Sequence, residues 1–269
     1  ASLCTYGRSK EQSVKPTKFV FNWGKSAKPE GKNIIEKAIF EGRKILYEHE
    51  AKRLLQQHNA PVTKDKLATS EDEAVKYANS FEGEAVVKIV SKDILHKTEV
   101  GCVKLKLKNE NDVRNAYNVI MNNAKNYDEK AHIQGVLVSP MMEPGTEIII
   151  GTKIDDQFGP VIMFGLGGIL VEVVKDVAFR VLPLSKNAAR DMISEIKSAP
   201  ILNGVRGMPP ADKDSIVNLL VTVSDIIESY PEIKEMDLNP IIVYEKGLAI
   251  VDARILLTQE DEKNGKEYH

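Results

Sequence analysis

The chain is poor in cysteine. Two residues, Cys4 and Cys102, among 269 do not make a disulfide scaffold, and no C-x-x-C pair offers metal ligands. A reducing cytoplasm is the compartment expected of such a chain. Long apolar runs are also missing: none approaches the ~20 residues that span a bilayer, so no membrane partner is expected. The N-terminus lacks the apolar core of a secretory signal. Charge of one sign is absent too. Net charge is −2 with 28% charged residues, which argues against a general nucleic-acid binder but leaves room for a local cationic pocket. No Walker-type G-x-x-x-x-G-K-[S/T] occurs, and no G-x-G-x-x-G follows a first strand, so a nucleotide would be held by another device. No two histidines stand at metal-ligand spacing, and zinc is not expected.

What is present is enough for a core: 42% of the residues are hydrophobic, which suits one large domain or two small ones. Residues 1–33 are rich in Lys, Ser, Gly and Pro and read as an arm or linker. Phe19, Phe21 and Trp23 interrupt it, either as a short docking strand or as a partner contact. The chain starts at Ala1 without methionine, so it is expected to be processed or cut from a longer polypeptide. From Ile34 to His58 apolar residues recur at helical spacing, as two helices stopped by Asn59-Ala60-Pro61. Helices are also expected over 70–81, where Ser70 offers a cap, and over 111–126, 186–198 and 212–229. Strands are expected at 64–68, 85–90, 101–107, 134–142, 147–154, 160–164 and 178–182, with a hairpin of 241–244 and 248–251. This order predicts an α/β protein of two α+β lobes, 34–140 and 141–257, with a nucleotide cleft between them and a tail over 258–269.

Several residues carry chemistry or a plain structural alternative. Lys88 lies in the apolar run Val86–Val90. It either faces solvent or points inward, and an inward lysine needs an anionic partner such as phosphate. His96 sits in a polar loop beside Lys97, where an imidazole accepts and returns a phosphoryl group, although a lone loop histidine is most often simply solvated. Met141, Met142 and Glu143 form a hinge fit to hold a nucleoside, and Glu147 opens the next strand; the alternative is a turn with two solvated glutamates. Gly165 to Gly168 allow a backbone to approach an anion, a weak signal alone. Asp237, Asn239 and Asp252 offer oxygen ligands of the kind magnesium takes alongside water and phosphate; the alternative is an Asn-Pro turn plus an edge aspartate.

Together these motifs are more specific than any one of them. D-I-L-H-K-T-E-V-G, G-P-V-I-M-F-G-L-G-G-I-L-V-E-V-V-K-D-V-A-F-R-V-L-P-L, M-D-L-N-P-I-I-V and V-D-A-R-I resemble, in the same order, the ATP-grasp (β) portion of the ADP-forming acyl-CoA synthetases, relatives of succinyl-CoA synthetase. The resemblance covers about Tyr47 to Leu257. It implies an ATP-grasp fold and an acid–CoA ligase that makes acyl-CoA and ADP from a carboxylic acid, CoA and ATP through acyl phosphate and phosphohistidine. It implies that ATP/ADP and Mg2+ bind here, while CoA binds a partner (α) portion, separate or fused, in a higher hetero-oligomer. By motif match, His96 is the phosphate-relaying histidine and Asp237 the acid that steadies it. Lys88 contacts phosphate, Gly167, Gly168 and Glu172 lie in the loop near the transferred group, and Arg180 belongs to the same motif. Asn239 and Asp252 match the magnesium ligands. One departure stands at Cys102, where the family pattern has a second glycine, which puts the loop geometry in question.

The acid implied is acetate or a short hydroxy acid such as 4-hydroxybutyrate or 3-hydroxypropionate. A fragment of a fused chain and a separate β subunit with an N-terminal extension both suit the arm. Three other readings compete: a succinate–CoA ligase-like β subunit, an amide-forming ATP-grasp ligase, which leaves His96 without a purpose, and a degenerate regulatory module, for which His96 or the magnesium ligands should be lost.

Overall fold

Local signals place most elements. The structure, a computed structural model, describes residues 25–94, 96–167, 175–205 and 207–258. Helix α1, Pro29–Phe40, starts on a proline, whose fixed φ suits the first turn. After β1, Ile45–Leu46, helix α2 runs over Glu48–Gln57. Tyr47 is extended ahead of it, and the Glu50 carboxylate accepts from the Tyr47 amide at 3.0 Å. Next come β2, Lys66–Ala68, and α3, Glu71–Ala78, capped by the Ser70 hydroxyl, which accepts from the Glu73 amide. Strands β3, Ala85–Ser91, and β4, Val103–Leu107, precede α4, Glu110–Tyr127, capped by Asn109. Strands β5, Ile133–Pro140, β6, Thr146–Asp155, β7, Gly159–Leu166, and β8, Val177–Val181, follow. Helix α5, Lys186–Glu195, a 3-10 turn at Ala199–Asn203 and α6, Lys213–Ser229, lead into β9, Ile233–Val243, β10, Leu248–Ile250, and β11, Ala253–Leu257.

Two sheets result. The larger has the order β1-β11-β9-β6-β7-β8 with β10 on β9, and the smaller the order β2-β5-β3-β4. All their strand pairs are antiparallel. In the large sheet Ile148, Ile150, Ile162, Phe164, Leu238 and Ile255 pack in one buried cluster with Ile35, Leu54, Met192, Ile216 and Val223 from the helices. Each such fully buried side chain contributes roughly 1.5–3 kcal/mol. The small sheet has its own cluster, with Val87, Ile89, Val136 and Val138 against Ala74, Val113 and Ile120. No described helix is long and apolar enough to cross a membrane.

Three features differ from the sequence expectation. Ile35, Ala38, Leu46, Ala51, Leu54 and Leu55 pack in the large-sheet cluster, so the segment from α1 to α2 does not join the small sheet as a 34–140 lobe requires. The hydrophobic period of a helix says which face is buried but not against which sheet. Second, the strand expected from 241 starts earlier, and E-M-D-L-N-P forms no Asn-Pro turn. It lies inside the 11-residue β9, and Pro240 still accepts through its carbonyl from the Val251 amide at 3.0 Å. Third, β1 and β11, which the alternation did not single out, pair with each other and close one side of the large sheet. Helix α1 also begins inside the expected 1–33 arm; Phe19, Phe21, Trp23 and most of the 258–269 tail lie outside the described residues.

Candidate functional site

Strand β3 has β5 on one side and β4 on the other, and all seven of its residues are buried. Val87 and Ile89 enter the small-sheet core, so Lys88 is sent to the opposite face. That face meets the large lobe. Lys88, 6% exposed, donates from Nζ to Glu48 Oε1 at 2.9 Å and to the Val251 carbonyl at 3.3 Å, with Asp252 Oδ2 at 3.7 Å. Of its two readings, the inward one holds, and a protein carboxylate supplies the anion. Burial opposes the charged form, but Glu48 first and Asp252 next outweigh it and hold this amino group above the ordinary lysine range.

Glu48 is the group that sequence reasoning missed. It is the first residue of α2, where a carboxylate also suits the helix dipole. It is buried and accepts from three lysines: Lys88 at 2.9 Å, Lys52 at 3.0 Å and Lys97 at 2.6 Å. Burial pushes its pKa up, but Lys88, Lys52 and Lys97 together hold it well below the carboxylate range. Lys52 is shared further, with Thr63 Oγ1 at 2.8 Å, the Val251 carbonyl at 2.6 Å and the Asp65 carboxylate. Three ammonium groups and the carboxylates of Glu48, Asp65 and Asp252 thus meet where the two sheets meet. The spacing Glu48-x-x-x-Lys52 places both on one helix face, but that pattern by itself reads as a solvated ion pair.

The strand register sets the second half of the site. Ala253 pairs with Leu238 and Arg254 with Asp237, while Ile250 pairs with Ile241. The same register carried between them puts Asp252, at the break between β10 and β11, opposite Asn239. Met236 and Leu238 are buried, Asp237 is half-buried and Asn239 exposed, so the polar residues share the face away from the helical core. Burial raises the Asp237 pKa, Arg254 opposes this, and Asp252 and Glu235 add to the rise. Among the described residues no three His, Cys, Asp or Glu side chains form a metal-binding group. The pair Asp252 and Asn239 instead offers one carboxylate and one amide oxygen, both reachable from solvent. That donor set fits magnesium, which keeps several waters and takes phosphate oxygens for the rest.

The other expected residues fall less evenly. His96 heads the turn between β3 and β4 and its side chain is 72% exposed; its ring lies 3.9 Å from Glu99 and is not brought to Asp237. Lys97, not His96, reaches the buried charges. In the same turn Gly101 has φ +70°, and a Cβ there would come within 2.8 Å of Asn123 Nδ2, so glycine is needed. Cys102 has no such conformation. It is fully buried in the small-sheet core with Sγ 3.7 Å from the Ile120 carbonyl, so the departure from the family pattern fills a core position. Met141 and Met142 are half-buried in the expected hinge, and the Met141 amide is already donated to the Glu84 carbonyl at 2.8 Å. The Glu143 carbonyl accepts from Tyr244 at 3.1 Å. Glu147 is exposed at the start of β6; its carbonyl accepts from the Gly167 amide at 2.8 Å, and a Cβ on Gly167 would stand 3.1 Å from its own. Gly168 and Glu172 lie outside the described residues. Arg180 is not brought to the site: it pairs with Ile162, whose side chain faces the helical core, and its guanidinium binds Glu195 of α5. A cavity of about 570 Å³, lined by residues including Arg190, Leu202, Asp212 and Val217, includes none of these groups.

Comparison with known proteins bears on this geometry. Residues 37–257 match the ATP-grasp domain family. The beta subunit of acetate–CoA ligase [ADP-forming] II from Pyrococcus furiosus is 46% identical over 233 residues, covering 86% of this chain and 99% of that protein. The 4-hydroxybutyrate–CoA ligase [ADP-forming] of Nitrosopumilus maritimus is 42% identical over 248 residues, which is 91% of this chain but 35% of that longer protein. The dinucleotide forming acetyl-coenzyme A synthetase 1 of Ca. Korarchaeum cryptofilum, solved in complex with coenzyme A, Ca-AMPCP and HgCl+, superposes with a TM-score of 0.83. It is 46% identical, over 85% of this chain and 100% of that one. Its complex with coenzyme A and Mg-AMPPCP, with the phosphohistidine segment pointing towards the nucleotide binding site, superposes with a TM-score of 0.75.

Proposed function

The chain belongs to the ATP-grasp family, with the β subunits of ADP-forming acetate–CoA ligases as its relatives, and we propose that it is the nucleotide-binding, phosphoryl-relay portion of such a ligase. A carboxylic acid, CoA and ATP become acyl-CoA, ADP and phosphate. The partner is a CoA-binding portion, separate or fused, because relatives occur both as a short subunit and as a third of a longer chain. The acid is a short carboxylate, acetate or a hydroxy acid such as 4-hydroxybutyrate. The compartment is the cytoplasm, where ATP and CoA are available.

The observation that carries this reading is Lys88, buried yet charged, beside both Glu48 and Asp252. Phosphoryl transfer needs positioning and charge neutralisation more than covalent help. Lys88 supplies a fixed positive charge at the sheet boundary, and Glu48 keeps it aimed there. Asn239 and Asp252 would hold magnesium, which supplies further charge neutralisation when bound. His96 is the nucleophile: a ring nitrogen forms the bond to the γ-phosphorus, the bond from that phosphorus to the bridging oxygen breaks, and ADP leaves. Asp237 would fix the tautomer that leaves that nitrogen free, once the loop has turned toward it. The phosphoryl group then passes to the acid bound by the partner, and CoA displaces it.

Reconstitution with the CoA-binding portion tests the reading. Acetate, CoA and Mg-ATP should yield acyl-CoA and ADP in equal amounts, and His96→Asn should abolish both. Acyl-CoA formation that survives His96→Asn would defeat it.

A further inference from the structure

We propose that Lys97 and the buried carboxylate of Glu48 form a latch that seats the histidine loop at the site, with Glu48 as the positioning residue at its fixed end. This rests on the relay reading and adds to it the element that holds and releases the loop.

The cluster is uneven in a telling way. Lys52 has three further partners, Thr63, Asp65 and the Val251 carbonyl, and Lys88 has the Val251 carbonyl and Asp252. Among the described residues the Lys97 amino group has Glu48 alone, at 2.6 Å. Its side chain is 18% exposed against 3% for Lys52 and 8% for Lys88. Lys97 is therefore the one cation that can leave without stranding a charge, since Glu48 keeps two ammonium partners. A buried carboxylate losing its last cation would pay heavily; one losing its third does not.

The loop is built to move as a unit. Val100 donates to the His96 carbonyl at 3.3 Å, Gly101 to the Thr98 carbonyl at 3.0 Å and Cys102 to the Lys97 carbonyl at 2.8 Å. Cys102 pins one flank in the small-sheet core. Ile94 and Val100 also pack on that core and Asn123 Nδ2 donates to the Gly101 carbonyl at 3.0 Å; the loop's tie to the large lobe is Lys97 to Glu48. His96, next in sequence, projects into solvent. With the latch formed, the base of the loop is held against the cluster that contains Lys88 while the His96 ring still points outward, so the ring has only to turn in from an anchored loop, and releasing the anchor costs one charged hydrogen bond.

The test uses the complex with its CoA-binding portion and the variants Lys97→Met and Lys97→Arg. His96 phosphorylation is followed from Mg-ATP and, separately, from acyl-CoA with inorganic phosphate, and amide exchange is read over residues 96–101. In Lys97→Met, exchange should quicken about tenfold, and phosphorylation from Mg-ATP should slow about tenfold, while phosphorylation from the acyl side stays within about threefold. Lys97→Arg, which keeps the charge, should restore the ATP side. Unchanged exchange with both phosphorylations slowed equally would overturn the latch, as would no change in any readout. If the unaltered complex forms no phosphohistidine, the relay reading fails. The exchange comparison then still decides the latch, by quickening or staying unchanged.

Discussion

Lys88 donates to Glu48 across the boundary between the two sheets, at 2.9 Å. The lysine comes from a strand of the small sheet and the carboxylate from a helix packed on the large one. Each keeps the other ionised in a place that favours neither charge. The ammonium is thereby presented next to Asp252, opposite Asn239, without being neutralised by proton loss.

Removing the carboxylate should cost more than any surface change. Glu48→Gln leaves Lys52, Lys88 and Lys97 around a neutral amide. Breaking a buried pair by deleting one partner costs about 3–5 kcal/mol. Urea unfolding of the variant should show a loss of that order, with an unchanged denaturant slope. A loss under 1 kcal/mol would mean that the cluster is far better solvated than its burial implies.

The same carboxylate sets an acid limb of stability. Its folded pKa lies below its unfolded value of about 4.3, so it stabilises the fold at higher pH and loses that contribution as pH falls below the unfolded value toward the folded one. Stability measured from pH 6 downward should drop more steeply in the unaltered protein than in Glu48→Gln. Parallel curves would contradict the assignment.

Much of this was legible in the sequence, and the gaps have physical reasons. The helix at 71–78 announced itself by Ser70, whose side chain accepts from the amide three residues on, and the helix at 213–229 was expected without its cap, which the structure shows at Asp212. Strand β3 was visible because its residues are apolar apart from Lys88 and Ser91. Lys88 stood out for the same reason, but its direction depended on the pleat. Glu48 was invisible because a glutamate followed four residues later by a lysine usually marks a solvated helix face; nothing local tells that this face is covered by β3. The β9 path through Pro240 was hidden because proline normally argues against a strand interior, yet here it serves as an acceptor through its carbonyl. Arg180 looked like part of the site because its motif is contiguous, whereas strand alternation sends it to the other face, to Glu195.

The histidine loop separates two small residues that look alike. Gly101→Ala forces a Cβ into a left-handed backbone beside Asn123 and should cost about 1–2 kcal/mol. Cys102→Gly, which would restore the family pattern, removes a buried side chain and frees the backbone. It should destabilise by about 2 kcal/mol. Thermal melts of both should fall below the parent; a Cys102→Gly variant that melts higher would show that the cysteine strains the loop.

Asp252→Asn tests the proposed magnesium ligands apart from turnover. Outer groups around a metal typically contribute 10–100-fold to affinity, and a direct ligand should contribute at least about tenfold. Calorimetry should show Mg-ADP binding weakened by that factor, with metal-free ADP little affected. Equal weakening of both would assign Asp252 to the nucleotide rather than to the metal.

The most direct measurement maps phosphate onto the chain. The protein with its CoA-binding portion is mixed with labelled ATP and magnesium, quenched in base and digested, and the label is located by mass spectrometry, with His96→Ala alongside. Base-stable, acid-labile phosphate on His96, absent from the variant, is the predicted result. Bound ATP with no phosphate on His96 under turnover conditions would contradict the relay.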